Sequence, residues 1–583
     1  MKTLSKEQRH SCRFFRLLKN GTRVSPLLIY PMKSIFLTLV SLLFAATAHA
    51  QWQSTTYTLK GGWNSIYLHG DASHASLETL FASQTALLEV WRWNPNPTQV
   101  QFTTSPLIPS AGTAEWSTWV RGGSANSLSK LIGQTAYLVK CSGTTADTYS
   151  VTIPQRVLPP SAAWVRNGAN LMGFPSKLNG TYPTMASYFA TFPAAIASNV
   201  KIYKYVGGDL GPGNPLQVFS TSAERLDRNQ AYWFDSKVVG NFYAPVEISL
   251  SNGSGIDFGR TGSTVTVRLL NRSSTVSTVT IAPVASSSAP TDQEGITAAV
   301  PITRRVFNAT TASWTETSIS AAFTEVVGPN AAVELTFGIN RAAMTGSSNA
   351  FYASLLRFTD SAGLYDILLP VTARKASLAG LWLGDAVVGG VESKTAGYTG
   401  TATAQTYSLR YIVHVDDAGN ARVLSQVFLG LLAGESPQSG ICTVESALSV
   451  ADKASARRIV AAHLPLDRVL DGGTMALGGS LSCTISTPFN DPTSPFVHQY
   501  HPDHDNKSGT TALVSGQESY DLSRAVTFAI SATAPAGVSA TGYGASVIAG
   551  NYTEVLTGLR KDSVTVTGTF SLRRVSEIGT LTR

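Results

Sequence analysis

The sequence predicts an all-β protein: tandem β-sandwich-like and β-barrel-like modules with few, short helices. Three observations predict this class. Segments such as Ala332–Phe337 and Tyr407–Val415 alternate apolar and polar residues with period 2, the mark of a strand with one packed face. Only 14% of the 583 residues are charged, and glycine alone contributes 49, a balance that suits half-buried strands joined by tight turns. Turn clusters such as Asn252-Gly253-Ser254-Gly255 punctuate the pattern at short intervals.

Taken in order, residues 32–50 read as a signal peptide. Lys33 gives a positive start, Ile35 to Ala46 is an apolar run, and Ala48-His49-Ala50 is a small-x-small cleavage site before Gln51. The run is shorter than the roughly 20 apolar residues a spanning helix needs. Residues 1–31 are expected to be a mis-assigned extension upstream of a true start at Met32, a long n-region being the alternative. Setting aside eight basic residues and one acid in residues 1–50 from totals of 44 and 36 leaves 36 basic against 35 acidic. The basic balance therefore belongs to the leader, and nucleic acid is not expected as a partner. Export outside the cytoplasm follows, either secreted or envelope-associated, with no transmembrane segment after residue 50.

Residues 51–160 and 161–243 form a diverged duplication. Gly62-Trp63-Asn64 and Gly168-Ala169-Asn170 open the copies. Short amphipathic stretches follow at Leu77–Phe81 and Met185–Phe189, then aromatic strands at Val90–Trp93 and Ile202–Tyr205. Similar strands close them, Gln134–Val139 and Gln230–Phe234. Residues 244–373 carry alternating strands that predict an antiparallel sandwich, and residues 374–583 a final β module.

These landmarks carry resemblances. The duplicated units resemble the "GWNLISLP" modules of secreted bacterial multidomain proteins, which implies display or interaction rather than chemistry; Tyr137-Leu138 and Ala169 depart from that pattern. Asp257-Phe258-Gly259 with the following Val-Thr-Val strand is similar to the start of major-sperm-protein-like immunoglobulin domains. The last module, opening at Leu378–Gly384 and containing Asn490–Asn506, resembles an "LAGLW-G … HPDHDN" family of unassigned function from environmental bacteria.

Three sets of residues are candidates for chemistry or binding. His498, His501, Asp503 and Asp505 combine imidazole with carboxylate, the donor set of a structural divalent metal, within a loop that Asx-turns could also hold. An EF-hand is excluded, because Lys507 and Ser508 fall at its fifth and sixth loop positions counted from Asp503. Trp91, Trp93, Trp116 and Trp119 are the aromatic candidates for ligand contact, stacking on sugars or anchoring an interface, against the alternative that they build a small core. Cys442 and Cys483 are the expected disulfide, worth about 4 kcal/mol in the chain-entropy account, with Cys141 left as a buried thiol. His69, Asp71 and His74 read as a solvated loop. No catalytic residue and no cofactor beyond that metal is expected. The reading is a non-catalytic protein of adhesion, assembly or glycan contact, its partner a glycan or cell-surface protein. The alternative is a secreted polysaccharide hydrolase, which would need paired carboxylates.

Overall fold

The computed structural model describes residues 51–94, 115–165, 168–178, 180–236, 238–393, 407–433, 456–488, 507–508, 511–512, 522–558 and 563–582. The all-β expectation holds. Helix among these residues is confined to two four-residue segments and two short 3-10 turns, and none is long and apolar enough to cross a membrane.

Copy one contains β1 (Trp52–Lys60), β2 (Gly62–Leu68), α1 (Leu77–Leu80), β3 (Leu87–Trp93), β4 (Trp116–Val120), β5 (Thr135–Cys141) and β6 (Thr148–Arg156). Copy two contains β7 (Gly168–Met172), α2 (Met185–Tyr188), β8 (Lys201–Lys204), β9 (Leu216–Gln217) and β10 (Tyr232–Ser236). Their four-stranded sheets have the same topology, β2-β5-β3-β4 and β7-β10-β8-β9. The shared landmarks do the same physical work in both. Asn64 accepts from the Lys60 N–H (2.9 Å) and donates to its carbonyl (2.7 Å), and Asn170 does so with Val165 at 2.7 and 3.2 Å. Each motif asparagine thus closes the turn that feeds the opening strand. Ser76 and Thr184 cap α1 and α2 by accepting from the third residue on, both at 3.2 Å. Tyr137 and Tyr232 each accept a backbone N–H five residues upstream, from Ile132 at 2.7 Å and Asp227 at 2.9 Å.

The third module comprises β11 (Val246–Leu250), β12 (Ile256–Asp257), β13 (Thr264–Asn271), β14 (Ser277–Val284), β15 (Ile302–Asn308), β16 (Ser313–Ser318), β17 (Phe323–Val327), β18 (Ala332–Ile339), β19 (Phe351–Asp360) and β20 (Asp366–Arg374). Two five-stranded sheets, β11-β13-β18-β15-β16 and β12-β20-β19-β14-β17, face each other across Leu269, Phe337, Ile281, Phe358 and Leu369. That core is continuous with copy two, whose Tyr188, Phe189 and Phe234 belong to the same cluster.

The last module comprises β21 (Gly380–Ser393), β22 (Tyr407–Val415), β23 (Ala421–Ala433), β24 (Ala456–Val469), β25 (Ser480–Thr487), the short pair β26 (Lys507–Ser508) and β27 (Thr511–Ala512), β28 (Leu522–Ile530), β29 (Val547–Thr557) and β30 (Val564–Ser576). Its eight-stranded antiparallel sheet runs β24-β23-β22-β21-β30-β29-β28-β25. The two end strands are adjacent in sequence, and reciprocal backbone bonds between Asp471 and Ser482 (2.7 and 2.8 Å) draw them together into a nearly closed barrel. Strand β25 alternates exposed and buried at every residue, with Leu481, Cys483 and Ile485 inside and the serines outside. A period-2 sequence curls this way because only one of its faces seeks burial.

Candidate functional site

For the four tryptophans singled out from sequence, the alternative of a small core is the one the structure shows: none is exposed. Trp91, Trp93, Trp116 and Trp119 are 6, 8, 6 and 1% exposed. Trp119 lies in the core of copy one, its indole N–H donating to Glu78 at 2.7 Å. The other three form a seam between the two copies together with Trp63, Leu138, Ala169 and Trp233. Trp93 meets Trp116 and Trp233 edge to face at 5.1 and 5.2 Å, and Trp63 meets Trp91 at 5.6 Å. The two departures from the repeat pattern explain each other here. Copy one opens on Trp63 and closes on Leu138, whereas copy two opens on Ala169 and closes on Trp233, so large and small residues complement within one layer. A close approach completes the seam: a Cβ on Gly62, held at φ +84°, would stand 2.4 Å from Gly208.

The His69 loop is likewise not a solvated loop. His69 is half-buried where copy one, copy two and the sandwich meet, and its Nε2 donates to the Arg228 carbonyl at 2.8 Å. Arg228, itself buried, donates to the carbonyls of Ser176 (3.0 Å) and Asp366. The Asp366 carboxylate is bound by Arg357 at 2.9 Å. His69 and Arg228, with Tyr67, Gln155 and Tyr243, line a cavity of about 30 Å³, room for one water. Burial, with the Arg228 guanidinium adding to it, holds the His69 pKa well below the ordinary imidazole value. The cluster joins modules.

His498, His501, Asp503 and Asp505 lie outside the described residues, as does Cys442. With Cys442 outside the described residues, only the Cys483 end of the expected bridge is described: a buried thiol inside the barrel. Burial pushes the thiols of both Cys483 and Cys141 up to about 11. Among the described residues, no group of three or more His, Cys, Asp or Glu gathers in metal-binding geometry.

Within the barrel a second buried network stands out. Arg524 on β28 donates to Glu554 on β29, Tyr552 donates to the other oxygen of Glu554, and the Tyr411 and Tyr552 hydroxyls lie 2.7 Å apart. Burial alone would lower the Arg524 pKa, but the adjacent Glu554 carboxylate outweighs it and holds the guanidinium above its usual value. The carboxylate is fully committed to this ion pair and serves the core.

An accessible aromatic site does exist, at a place the sequence reading passed over. Strand β15 pairs with β18 only from Ile302 to Arg305; beyond that it pairs with β16 alone, so the hairpin tip outruns its sheet. Asn308 turns the tip by accepting from the Thr310 N–H at 2.9 Å. Phe307 and Trp314 sit directly opposite on this tip, with ring centroids 5.2 Å apart, and are 50 and 49% exposed. The Arg305 guanidinium lies 4.6 Å from the Trp314 ring and forms an ion pair with Glu316 at 3.3 Å. Thr541 of the barrel module donates to that same Glu316, which ties the base of the hairpin down. The result is a rigid pair of rings with a cation beside them, held on the edge strand of a sheet. Such a surface stacks on apolar sugar faces or fills a partner's pocket. A turn cluster between Val306-Phe307 and Trp314-Thr315 was the available signal; nothing local says that the strands run past their neighbours.

No protein-family description and no curated protein matches the sequence. Among solved structures, the Pseudomonas aeruginosa CupB2 chaperone is 12% identical with a TM-score of 0.15, covering 30% of this chain and 97% of that one. A structural-genomics protein of unknown function from Bacteroides ovatus is 11% identical with a TM-score of 0.16, covering 57% of this chain and 96% of that one. At those scores neither likeness bears on fold or function.

Proposed function

We propose that this is an exported, non-catalytic contact protein, secreted or held at the cell envelope, that serves adhesion or assembly by binding a glycan or a cell-surface protein. The observation that carries the reading is the half-exposed Phe307–Trp314 pair on a hairpin anchored at its base. Large aromatic residues left in solvent and fixed in place are the commonest anchors of interfaces, and they spend little conformational entropy on binding. The buried carboxylates Asp366 and Glu554 are each held by an arginine, which supports structural rather than catalytic duty for them.

Glycan-array binding of the purified protein, run beside a reducing-sugar release assay, tests the proposal. Trp314→Ala and Phe307→Ala are expected to weaken the binding found by about tenfold or more while leaving the melting temperature within a few degrees. Sustained sugar release by the unaltered protein would overturn the reading in favour of a polysaccharide hydrolase.

A further inference from the structure

The outer wall of the barrel carries a groove of about 520 Å³, within the range of small-ligand sites. Its floor is the solvent-facing side of β21, β30 and β29, and its roof is the segment joining β28 to β29, with Pro535 and Val538 facing the floor. This strap is pinned at both ends by one side chain: the Tyr543 hydroxyl lies 2.7 Å from the Ser531 carbonyl and 3.0 Å from that of Ala549. A backbone bond from Ser531 to Ala549 (2.9 Å) closes the same base. The opening between strap and wall is therefore built into the fold.

The chemistry of the floor is specific. Thr569 stands opposite both Asn551 and Val387, and Ser571 opposite Asp385, so hydroxyl and amide groups form a row across the strands. Asp385 is bound by Arg410 at 3.0 Å and contributes little free charge. Arg573, exposed at the end of the row, forms no side-chain hydrogen bond or ion pair among the described residues. The groove thus offers one uncommitted guanidinium, a line of hydroxyl-seeking groups, and the apolar patches of Leu383 and Val387. Every floor strand is already paired on both sides, so an occupant cannot join the sheet as an extra strand and must be read by side chains. A peptide loses its main-chain handle on such a surface, whereas a sugar chain has none to lose. We infer that the groove binds an acidic oligosaccharide, a hydroxyl-rich chain bearing carboxylates, with a carboxylate on Arg573 and the ring hydroxyls on Asn551, Thr569 and Ser571. This site is separate from the hairpin platform and stands whether or not that platform binds glycan.

Calorimetric titration of the whole protein with oligogalacturonate, a cello-oligosaccharide of equal length and an oligoglutamate peptide tests the assignment. Oligogalacturonate is expected to bind, more weakly as salt rises, with the neutral chain at least about tenfold weaker. Arg573→Ala should cost about tenfold or more, and Val538→Trp should block the groove without touching its charge. Oligoglutamate binding as tightly as the sugar overturns the saccharide assignment, since the groove then reads charge alone. Absent sugar binding, or binding indifferent to both Arg573→Ala and Val538→Trp, overturns the site itself. Loss through Trp314→Ala alone assigns the affinity to the hairpin and likewise overturns it.

Discussion

A second proton on His69 would meet two obstacles at once, the loss of water around the ring and the guanidinium of Arg228, so the folded protein keeps this imidazole neutral. Its pKa in the unfolded chain returns to about 6.5. Because the folded value is the lower one, the unfolded state takes up protons first as pH falls. The stability tied to His69 is therefore complete above about pH 6.5 and is lost progressively below it. Thermal melts between pH 8 and pH 5 should show the melting temperature falling in that window. His69→Gln, which keeps a donor for the Arg228 carbonyl but cannot titrate, should fall less steeply. Equal slopes for the two proteins would remove His69 as the origin. His74, whose pKa burial also lowers, adds a smaller effect of the same sign in both.

The asparagine-closed turns belong to the scale of the element. Asn64 and Asn170 each satisfy both backbone groups of a residue four or five positions upstream. Replacing either with alanine leaves those groups without partners and should cost about 2 kcal/mol, read from denaturant midpoints. Similar costs in both copies are expected because the turn, the capped helix and the tyrosine latch recur together; a tenfold disparity in the effect on the folding equilibrium would deny the equivalence. Landmarks of this kind are legible in sequence because each is made by residues a few positions apart. Strand periodicity, and with it the all-β class, is legible for the same reason. Which face of a strand meets solvent is not. Trp91, Trp93 and Trp116 vanish into a seam whose other wall, Ala169 to Trp233, lies 53 to 142 residues away, while Phe307 and Trp314 stay outside because β15 outruns β18. Both outcomes depend on long-range registers that alternation alone does not encode.

Across the whole molecule, burial divides the chain differently from its sequence modules. Copy two and the sandwich share one core, whereas the barrel has its own, built around Trp382, Tyr411, Phe528 and Phe570. Residues 161–243 alone would lose the part of this core that the sandwich supplies and are too few to replace that lost burial. A fragment spanning 374–582 is expected to fold by itself, whereas 161–243 is expected to unfold and 161–373 to recover a cooperative transition. Near-ultraviolet circular dichroism distinguishes these outcomes, and a cooperatively folded 161–243 would contradict the shared core. The tryptophan seam carries one more consequence. Five of the molecule's ten indoles, Trp63, Trp91, Trp93, Trp116 and Trp233, are crowded into it, and Trp314 stands alone in water. Fluorescence from this protein is thus already sorted by location. Blue-shifted emission comes from nine buried indoles, and the five of the seam, close enough to share energy, are the part of it that responds to undocking of the two copies. The red-shifted fraction open to iodide quenching is dominated by the hairpin, so the molecule reports on its cohesion and its surface through two separable colours without any added dye.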